Sequence, residues 1–365
     1  MPGSKFGVEF SITCFGESHG KCVGVILEGC PAGLKISKEE IQGELNKRIP
    51  KDEAVVSPRI EKDEVEILSG VFQGSSTGAP ICMIVNNKDV SSEFYEEIKF
   101  KPRPGHADYP AWIKYGGFND YRGGGIFSGR MTVPLIMAGA VAKKLLGKFR
   151  IEVLAHAVEV AGIKAPENLP MEAIKEVPYT NSMRCADLKA AELMRKAVVK
   201  AAREGDSVGG MIEGIALNVP PGIGEPLFDA LDCDLAKILF AIPGVKGVEF
   251  GVGFEAAKLR GSANNDEYVI VNGQIRTLTN NSGGILGGLS TGMPIVTRVA
   301  FKPPSSIKKK QRTVNLKTMQ EDWIEVKGRH DPCIVPKAVP TVEACIAVVL
   351  CDHLIRAGVI PRVLK

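Results

Sequence analysis

The sequence predicts an α+β fold in which strands and helices pack in layers as a sandwich. Strand-like and helix-like segments alternate irregularly along the chain, and we expect long connections between antiparallel strands. No tandem repeat is visible in the sequence. We therefore do not expect a doubly wound parallel sheet, and the 365 residues suffice for one large domain or two of ordinary size.

The composition is that of a soluble globular protein, with 44% hydrophobic and 24% charged residues. We expect a cytoplasmic protein without a membrane partner, because there is no run of 18 apolar residues and no signal-peptide pattern at the N-terminus. A net charge of +4 and 6% aromatic residues argue against nucleic acid as a partner. The nine cysteines never occur as Cys-x-x-Cys, so we expect reduced core thiols rather than disulfides or metal ligands.

The N-terminal part contains predicted strands around one helix. Residues 8–13 and 23–27 form strands joined by a glycine-bounded corner at residues 16–20. The corner has the letters of the serine-hydrolase elbow, Gly-x-Ser-x-Gly, but the strand-like sequence after it argues against that class. Ser37 and Glu40 have the spacing of a capping box, which begins a helix that ends before Pro50. Residues 64–72 and 80–85 are predicted strands.

The remainder of the chain contains the strongest helix signals. An apolar run at residues 133–146 predicts a core helix, and residues 187–203 predict an amphipathic helix. Further strands are predicted at residues 151–161, 207–219 and 245–251. A helix at residues 229–240 ends before Pro243-Gly244, and a last helix is predicted from about residue 340 to residue 357.

The stretch from residue 101 to residue 132 is the first candidate site. Three consecutive glycines lead into the predicted core helix, and the backbone N–H groups of such a loop favour an anion. Arg103, Arg122 and Arg130 add forked donors suited to phosphate or carboxylate, and His106 lies in the same stretch. The stretch is neither a P-loop nor a dinucleotide fingerprint, and its alternative interpretation is a surface loop with solvated arginines.

Two later loops have a similar character. Residues 280–292 are dense in glycine and serine, and residues 302–306 offer an ammonium group and two hydroxyls. Both are suited to holding an anionic cofactor. A non-catalytic phosphate- or RNA-binding protein built on these loops is an alternative; the only basic cluster, residues 308–312, is interpreted as a solvated loop.

Five segments resemble successive signatures of the chorismate synthase family. They are Gly16-Glu17-Ser18-His19-Gly20, Arg103-Pro104-Gly105-His106-Ala107-Asp108, Tyr121-Arg122-Gly123-Gly124-Gly125, Gly284-Ile285-Leu286-Gly287-Gly288 and Gly328-Arg329-His330-Asp331-Pro332. They occur in the family's order, and the resemblance covers essentially the whole chain. It implies a single domain over residues 1–365, a β-α-β sandwich with long glycine-rich active-site loops, and a homotetramer.

The resemblance also implies an activity. Chorismate synthases convert 5-enolpyruvylshikimate 3-phosphate to chorismate and phosphate in the shikimate pathway. The reaction is a 1,4-anti elimination that needs reduced FMN (FMNH2) without net redox change, and NADPH is implied only for a family member that reduces its own flavin. A flavin-binding homologue without elimination activity is the alternative.

The implied site residues fall into three groups. In the catalytic group, the resemblance implies that His19 lies near the departing phosphate and His106 near the flavin N1. Asp331, Ser18 and Ser128 complete this group as a proton relay. The substrate group surrounds the phosphate and two carboxylates, and its members are Arg48, Arg103, Arg130 and Arg329. The cofactor group consists of Ile126, Phe127, Ser128, Pro243, Gly244, Gly287, Lys302, Pro303, Pro304, Ser305, Ser306 and Arg329. We expect the three-anion substrate to offset the cost of holding several arginines together.

The chain departs from the family pattern at several of these positions. The family usually reads Arg-Ser-Ser-Ala-Arg-Glu-Thr where this chain has residues 126–132, Ile-Phe-Ser-Gly-Arg-Met-Thr. Ala54 replaces an arginine, Pro243-Gly244 replaces Asn-Ala, and Pro304 replaces threonine. Each lost arginine that met a charged partner would weaken anion binding by roughly 1.5–3 kcal/mol. The candidates for compensation are Arg59, Lys47 and Lys51.

Overall fold

The structure is a computed structural model that describes residues 3–49, 52, 63–88, 92–328 and 330–365. The predictions made for Arg329, Ala54, Arg59 and Lys51 lie outside the described residues.

The N-terminal part forms an antiparallel sheet. The strands in this part of the chain are β1 (Lys5–Phe6), β2 (Ser11–Gly16), β3 (Cys22–Glu28), β4 (Val65–Ile67), β5 (Val71–Phe72), β6 (Ser75–Ser76) and β7 (Ile81–Asn86). Five of them form the sheet, and β5 and β6 form a separate hairpin. The order in the sheet is β1-β2-β3-β7-β4, and each neighbouring pair is antiparallel. The hairpin consists of β5 and β6.

The C-terminal part forms a second antiparallel sheet with three hairpins around it. The strands are β8 (Glu152–Val160), β9 (Ile163–Lys164), β10 (Gly210–Leu217), β11 (Val245–Phe250), β12 (Tyr268–Val271), β13 (Gln274–Thr277), β14 (Ile285–Leu286), β15 (Leu289–Ser290), β16 (Ile295–Phe301), β17 (Gln311–Asn315) and β18 (Gln320–Ile324). The order in the sheet is β11-β16-β10-β8-β9. The hairpins pair β12 with β13, β14 with β15 and β17 with β18.

The helices are α1 (Lys38–Asn46), α2 (Glu93–Ile98), α3 (Asp108–Tyr115), α4 (Thr132–Lys148), α5 (Met171–Glu176), α6 (Leu188–Arg203), α7 (Leu231–Phe240), α8 (Gly261–Asn264) and α9 (Val335–Arg356). Two short 3-10 segments, Arg122–Phe127 and Gly129–Met131, lead directly into α4. Others are Pro178–Thr180, Leu227–Asp229 and Gly253–Lys258.

Helices α4 and α9 connect the two sheets. Helix α4 packs on β2, β3 and β7, helix α9 packs on β8 and β10, and the two helices pack against each other. Their close approach depends on Gly139, because a Cβ there would lie 2.2 Å from the Cβ of Ala344. Helix α9 is long and apolar enough to cross a membrane, but 94% of its apolar window is buried, as in the core helix of a soluble protein. The α+β class is confirmed.

Most local predictions are confirmed. The corner at residues 16–20 joins the antiparallel strands β2 and β3. The capping box is formed, with the Glu40 N–H donating to Ser37 Oγ at 3.3 Å and the Ser37 N–H donating to Glu40 Oε2 at 3.2 Å. The core helix, the amphipathic helix and the strands at 151–161 and 245–251 are α4, α6, β8 and β11.

Four predicted boundaries were wrong. The strand predicted at residues 207–219 is the shorter β10, Gly210–Leu217. The last helix begins at Val335 and includes Pro340, since its flanking residues are buried between layers and this packing outweighs a lost backbone hydrogen bond. The strand predicted from residue 8 begins at Ser11, because the N–H groups of residues 8–10 donate to the Asp352 carboxylate. The strand predicted at 64–72 is interrupted at Gly70, whose φ is +80°.

The cysteines are free thiols, as predicted. Five are buried, three are half-buried, and Cys233 is exposed. Burial raises the pKa of Cys14 and of Cys333 to about 12 and that of Cys30 to about 11. These thiols are therefore protonated and unreactive at neutral pH.

Candidate active site

The glycine triplet before α4 brings the two predicted catalytic histidines together. Gly123, Gly124 and Gly125 have φ angles of +60°, +86° and +53°, a backbone conformation that favours glycine. A Cβ on Gly123 would lie 2.4 Å from His19 Cδ2, and a Cβ on Gly124 would lie 3.0 Å from His106 Cε1 and Nε2. Adjacent residues of one loop therefore contact both imidazoles, which come from distant parts of the sequence.

His19 is held rigidly beside this loop. Its side chain is buried, Nδ1 lies 2.9 Å from Ser92 Oγ, and the ring packs nearly perpendicular to that of Tyr95 with the ring centroids 5.1 Å apart. The neighbouring Ser18 is also buried, and its N–H donates to the carbonyl of Gly125 at 3.2 Å. Because Nδ1 is engaged by Ser92, the Nε2 edge of the ring is the one that faces the glycine loop.

His106 lies in a second cluster with Arg103 and Asp108. Arg103 donates from Nε and Nη2 to the two carboxylate oxygens of Asp108 at 2.7 and 2.8 Å, and its Nη2 lies against the His106 ring. His106 Nδ1 is 2.6 Å from Asp108 Oδ1. Burial and then the charge of Arg103 lower the pKa of His106, although Asp108 opposes them. The ion pairs hold the pKa of Asp108 well below its usual range despite burial.

The predicted cofactor loop at residues 302–306 closes over the same cluster. Lys302 Nζ donates to the carbonyl of Gly105, and a Cβ on Gly105 would lie 3.4 Å from the Cβ of Ser305. Arg103 Nη1 donates to Ser306 Oγ at 3.2 Å. The Lys302 N–H donates to the carbonyl of Gly244 at 2.9 Å, so the Pro243-Gly244 segment adjoins this loop. Burial and then the charge of Lys246 lower the pKa of Lys302.

A third cluster joins two predicted substrate arginines. Arg130 and Arg48 both bond to the buried carboxylate of Asp63, Arg130 through Nη1 and Arg48 through Nη1 at 3.3 Å. Ser128 Oγ accepts from the Arg130 N–H at 3.3 Å. Asn87 Oδ1 accepts from Arg130 Nε at 3.0 Å, while its amide nitrogen donates to the carbonyls of residues 17 and 20. Asn87 therefore ties this cluster to the loop that contains His19.

The other predicted residues are placed less closely. Asp331 is paired with Lys337 at 2.7 Å. Ile334, three residues further along the chain, lies against Gly244. Ile126 and Phe127 are 42% and 38% exposed. Lys47, the described candidate for compensation, pairs with Glu44 at 2.7 Å and lies over the Tyr179 ring, so it is engaged elsewhere.

Gly287 is not brought to the other cofactor positions within one chain. It lies in the turn between β14 and β15, and the next residue, Gly288, adjoins Glu225 and Ala230. This hairpin precedes β16, whereas Lys302 follows it. A seven-residue strand is about 23 Å long, so Gly287 and Lys302 lie near opposite ends of β16.

Sequence reasoning missed the residues that hold the site together. Asp63, Asn87 and Ser92 each contact a predicted site residue but belong to no motif that carries chemistry by its spacing. Asp108 lay inside a recognised signature without being assigned a role. Its position five residues after Arg103 was the one available signal.

The α+β fold and the histidine, arginine and lysine clusters beside its glycine loop are typical of an enzyme site. Known proteins identify the class more narrowly. The sequence profile described as chorismate synthase matches residues 10–355. A chorismate synthase of Korarchaeum cryptofilum is 53% identical over 98% of this chain and 99% of its own length. A chorismate synthase of Methanococcoides burtonii is also 53% identical, over 98% and 97% of the two chains.

A crystal structure of chorismate synthase superposes with a TM-score of 0.75 at 31% identity, covering 96% of this chain and 93% of that chain. The chain belongs to the chorismate synthase family. Its function is that of the family, a lyase reaction of the shikimate pathway that forms chorismate for aromatic amino acid biosynthesis.

Proposed function

We propose that the clusters around the glycine triplet catalyse the 1,4-anti elimination of phosphate from 5-enolpyruvylshikimate 3-phosphate, with reduced FMN as the cofactor. The observation that supports this most directly is the contact of adjacent glycines, Gly123 and Gly124, with His19 and His106. Two rigidly held imidazoles therefore lie against one glycine loop, and the arginines and the lysine of the neighbouring clusters supply positive charge.

The substrate carries a phosphate and two carboxylates, and the proposed ligands are opposite to it in charge. Arg48 and Arg130 would bind these anions, and Arg329 is assigned to the same group. His19 would donate a proton from Nε2 to the departing phosphate, because Ser92 holds its other ring nitrogen. Fixed cations and a proton both stabilise the negative charge that develops on the leaving oxygen.

The residues present fit a flavin mononucleotide. The loop from Lys302 to Ser306, which includes Pro303, Pro304 and Ser305, offers an ammonium group and hydroxyls suited to a phosphate. Ile126 and Phe127 expose apolar surface suited to a flat aromatic ring. When bound, reduced FMN would supply electron density to the substrate and a base at N5.

His106 would act at the cofactor rather than at the leaving group. Its lowered pKa favours the neutral imidazole at neutral pH, and the Asp108 carboxylate beside Nδ1 orients the ring. Asp331, with Ser18 and Ser128, would carry the substrate proton away. Ser18 lies beside the glycine triplet, since its N–H donates to the Gly125 carbonyl and its Oγ would lie 2.7 Å from a Cβ on Gly123. Ser128 follows Gly125 by three residues in the chain.

We also propose a β-α-β sandwich forming a single cytoplasmic domain over residues 1–365 that assembles as a homotetramer. One cluster of buried apolar residues extends from Phe10 to Ile360, which supports one core. A second copy would supply Gly287 to the cofactor site. Near Gly287, Leu286 is 49% exposed, and on other segments of the C-terminal part Phe228 and Ile270 are 92% and 78% exposed, as expected for surfaces covered in an assembly.

The test is a single anaerobic assay with reduced FMN and 5-enolpyruvylshikimate 3-phosphate. We expect chorismate absorbance and phosphate release to rise together in equal amounts. A flavin-binding homologue without activity would change the flavin spectrum and form no product. An RNA-binding protein would do neither, and either result would contradict the proposal.

A further inference from the structure

We propose that Asp63 is a positioning residue that holds Arg48 and Arg130 as one anion-binding unit. The inference rests on the proposed role of these two arginines in substrate binding. Asp63 belongs to none of the predicted catalytic, substrate or cofactor groups, and it lies just before β4, which is outside the glycine loops.

The carboxylate of Asp63 is shared between the two guanidinium groups. Oδ1 accepts from Arg130 Nη1, and Oδ2 accepts from Arg48 Nη1 at 3.3 Å. The side chains of Asp63 and Arg130 are 4% and 6% exposed, and that of Arg48 is 17% exposed. Each oxygen therefore fixes a different arginine in a region that water hardly reaches.

Asp63 is itself held in place by its backbone. Gln42 on α1 donates from Nε2 to the Asp63 carbonyl at 2.6 Å and accepts the Val65 N–H at 3.1 Å. The carboxylate is consequently fixed relative to α1, at whose C-terminal end Arg48 lies. Its position does not depend on the arginines alone.

The two arginines also have separate anchors. Arg48 Nε donates to Thr132 Oγ1 at 3.1 Å, and Arg130 Nε donates to Asn87 Oδ1 at 3.0 Å. Two guanidinium groups this near to each other repel strongly in a poorly solvated region. A carboxylate between them offsets that repulsion.

The alternative role for Asp63, that of a counter-ion only, predicts different effects of substitution on substrate binding and rate. If the carboxylate were only a counter-ion, its exact reach would matter little, and removing its charge would strengthen the attraction for the substrate. A positioning role depends on reach, because misplacement of binding groups by about 1 Å costs about 100-fold in rate. The variant Asp63→Glu separates the two, since it keeps the charge and lengthens the side chain by one methylene.

The experiment compares Asp63→Glu and Asp63→Asn with the wild type. The readouts are kcat, KM for 5-enolpyruvylshikimate 3-phosphate, the dissociation constant of the substrate by calorimetry, and thermal unfolding to establish that each variant is folded. We expect kcat/KM of Asp63→Glu to fall about 100-fold and kcat of Asp63→Asn to fall at least about tenfold. Glu213→Asp is the matched control, because it changes the reach of a carboxylate paired with Arg298 on the second sheet, and it should stay within about twofold.

The result that overturns the proposal is a folded Asp63→Glu with wild-type kcat/KM, together with an Asp63→Asn that binds substrate more tightly and keeps its kcat. If Asp63→Glu does not fold, the kcat of folded Asp63→Asn decides: a fall supports the proposal and an unchanged value overturns it. A wild-type protein that forms no chorismate would contradict the proposed function instead, so the two failures are distinguishable.

Discussion

Gly123→Ala is the most direct perturbation of the proposed site. A Cβ at this position would lie 2.4 Å from His19 Cδ2, 2.6 Å from His19 Nε2 and 2.7 Å from Ser18 Oγ. Ordinary carbon–carbon contacts are about 3.5 Å, so the imidazole has to move by about 1 Å. The ring cannot yield freely, because Ser92 and Tyr95 hold it on its other sides.

Two effects of this substitution have different sizes. Alanine at a φ of +60° costs about 1–2 kcal/mol of stability, which the fold tolerates. Displacement of a catalytic imidazole by about 1 Å costs about 100-fold in rate. We therefore expect kcat/KM for chorismate formation to fall about 100-fold while the protein stays folded.

The matched control is Gly129→Ala, in the same stretch before α4. Gly129 has no left-handed φ, and a Cβ there would have no neighbour within 4 Å. The anaerobic chorismate assay should give this variant a kcat/KM within about twofold of the wild type. Wild-type activity in Gly123→Ala would refute the conclusion that the glycine loop positions His19.

The remaining predictions concern His106, Lys302 and Asp352. His106→Ala should lower turnover by about 10²–10⁴-fold and leave the fold intact, as measured by the chorismate assay and circular dichroism; wild-type turnover would remove His106 from the catalytic group. Because burial, Arg103 and Lys302 lower the pKa of His106, its NMR titration midpoint should lie below 6.5, and any stability that it contributes should be lost as the pH falls from 6.5 through that midpoint. Lys302→Gln should move the midpoint upward, and a downward shift would contradict the assignment. Asp352→Ala should lower the free energy of unfolding in urea by about 3–5 kcal/mol, since the buried carboxylate accepts three backbone N–H groups, and a loss under about 1 kcal/mol would contradict that role.

The sequence predicts best those helices and strands that are specified by residues close together in the chain. The capping box at Ser37 and the apolar run of α4 each specify their helix without help from distant residues. Helices α2 and α3 were missed because α2 buries no side chain and α3 buries only Ala111, so neither has an apolar stripe. Pro340 misled the prediction of α9 because burial between the layers is a tertiary effect.

The same distinction between local and tertiary causes applies to the candidate site. The signatures identify which residue types carry the chemistry, and the structure brings His19, His106 and the loop at residues 302–306 into neighbouring clusters. Nothing in the local pattern indicates that adjacent glycines separate the two imidazoles, or that Asp63 joins two arginines from distant segments. These contacts depend on how the two sheets pack on α4, which no local spacing encodes.

We expected the three-anion substrate to offset the cost of holding several arginines together, and in the structure carboxylates of the protein share that task. Carboxylates of the protein already pair with them: Asp108 with Arg103, Asp120 with Arg122, and Asp63 with both Arg48 and Arg130. Pairing of this kind fixes the cations before the substrate arrives, so little reorganisation is needed during the reaction.

The pairing also indicates that the role of Arg103 differs from that of the other predicted substrate ligands. Its side chain is 4% exposed, its Nε and Nη2 donate to Asp108, and its Nη1 donates to Ser306. A guanidinium has donors only on these three nitrogens, so Arg103 has little left to offer a phosphate or carboxylate of the substrate. Arg48 also donates from all three nitrogens, to Thr132, Asp63 and Gly129, but 17% of its side chain is exposed against 4% for Arg103. We infer that Arg103 orients His106 and Ser306 and contributes its charge at a distance, whereas the more exposed Arg48 is better placed to meet the substrate directly.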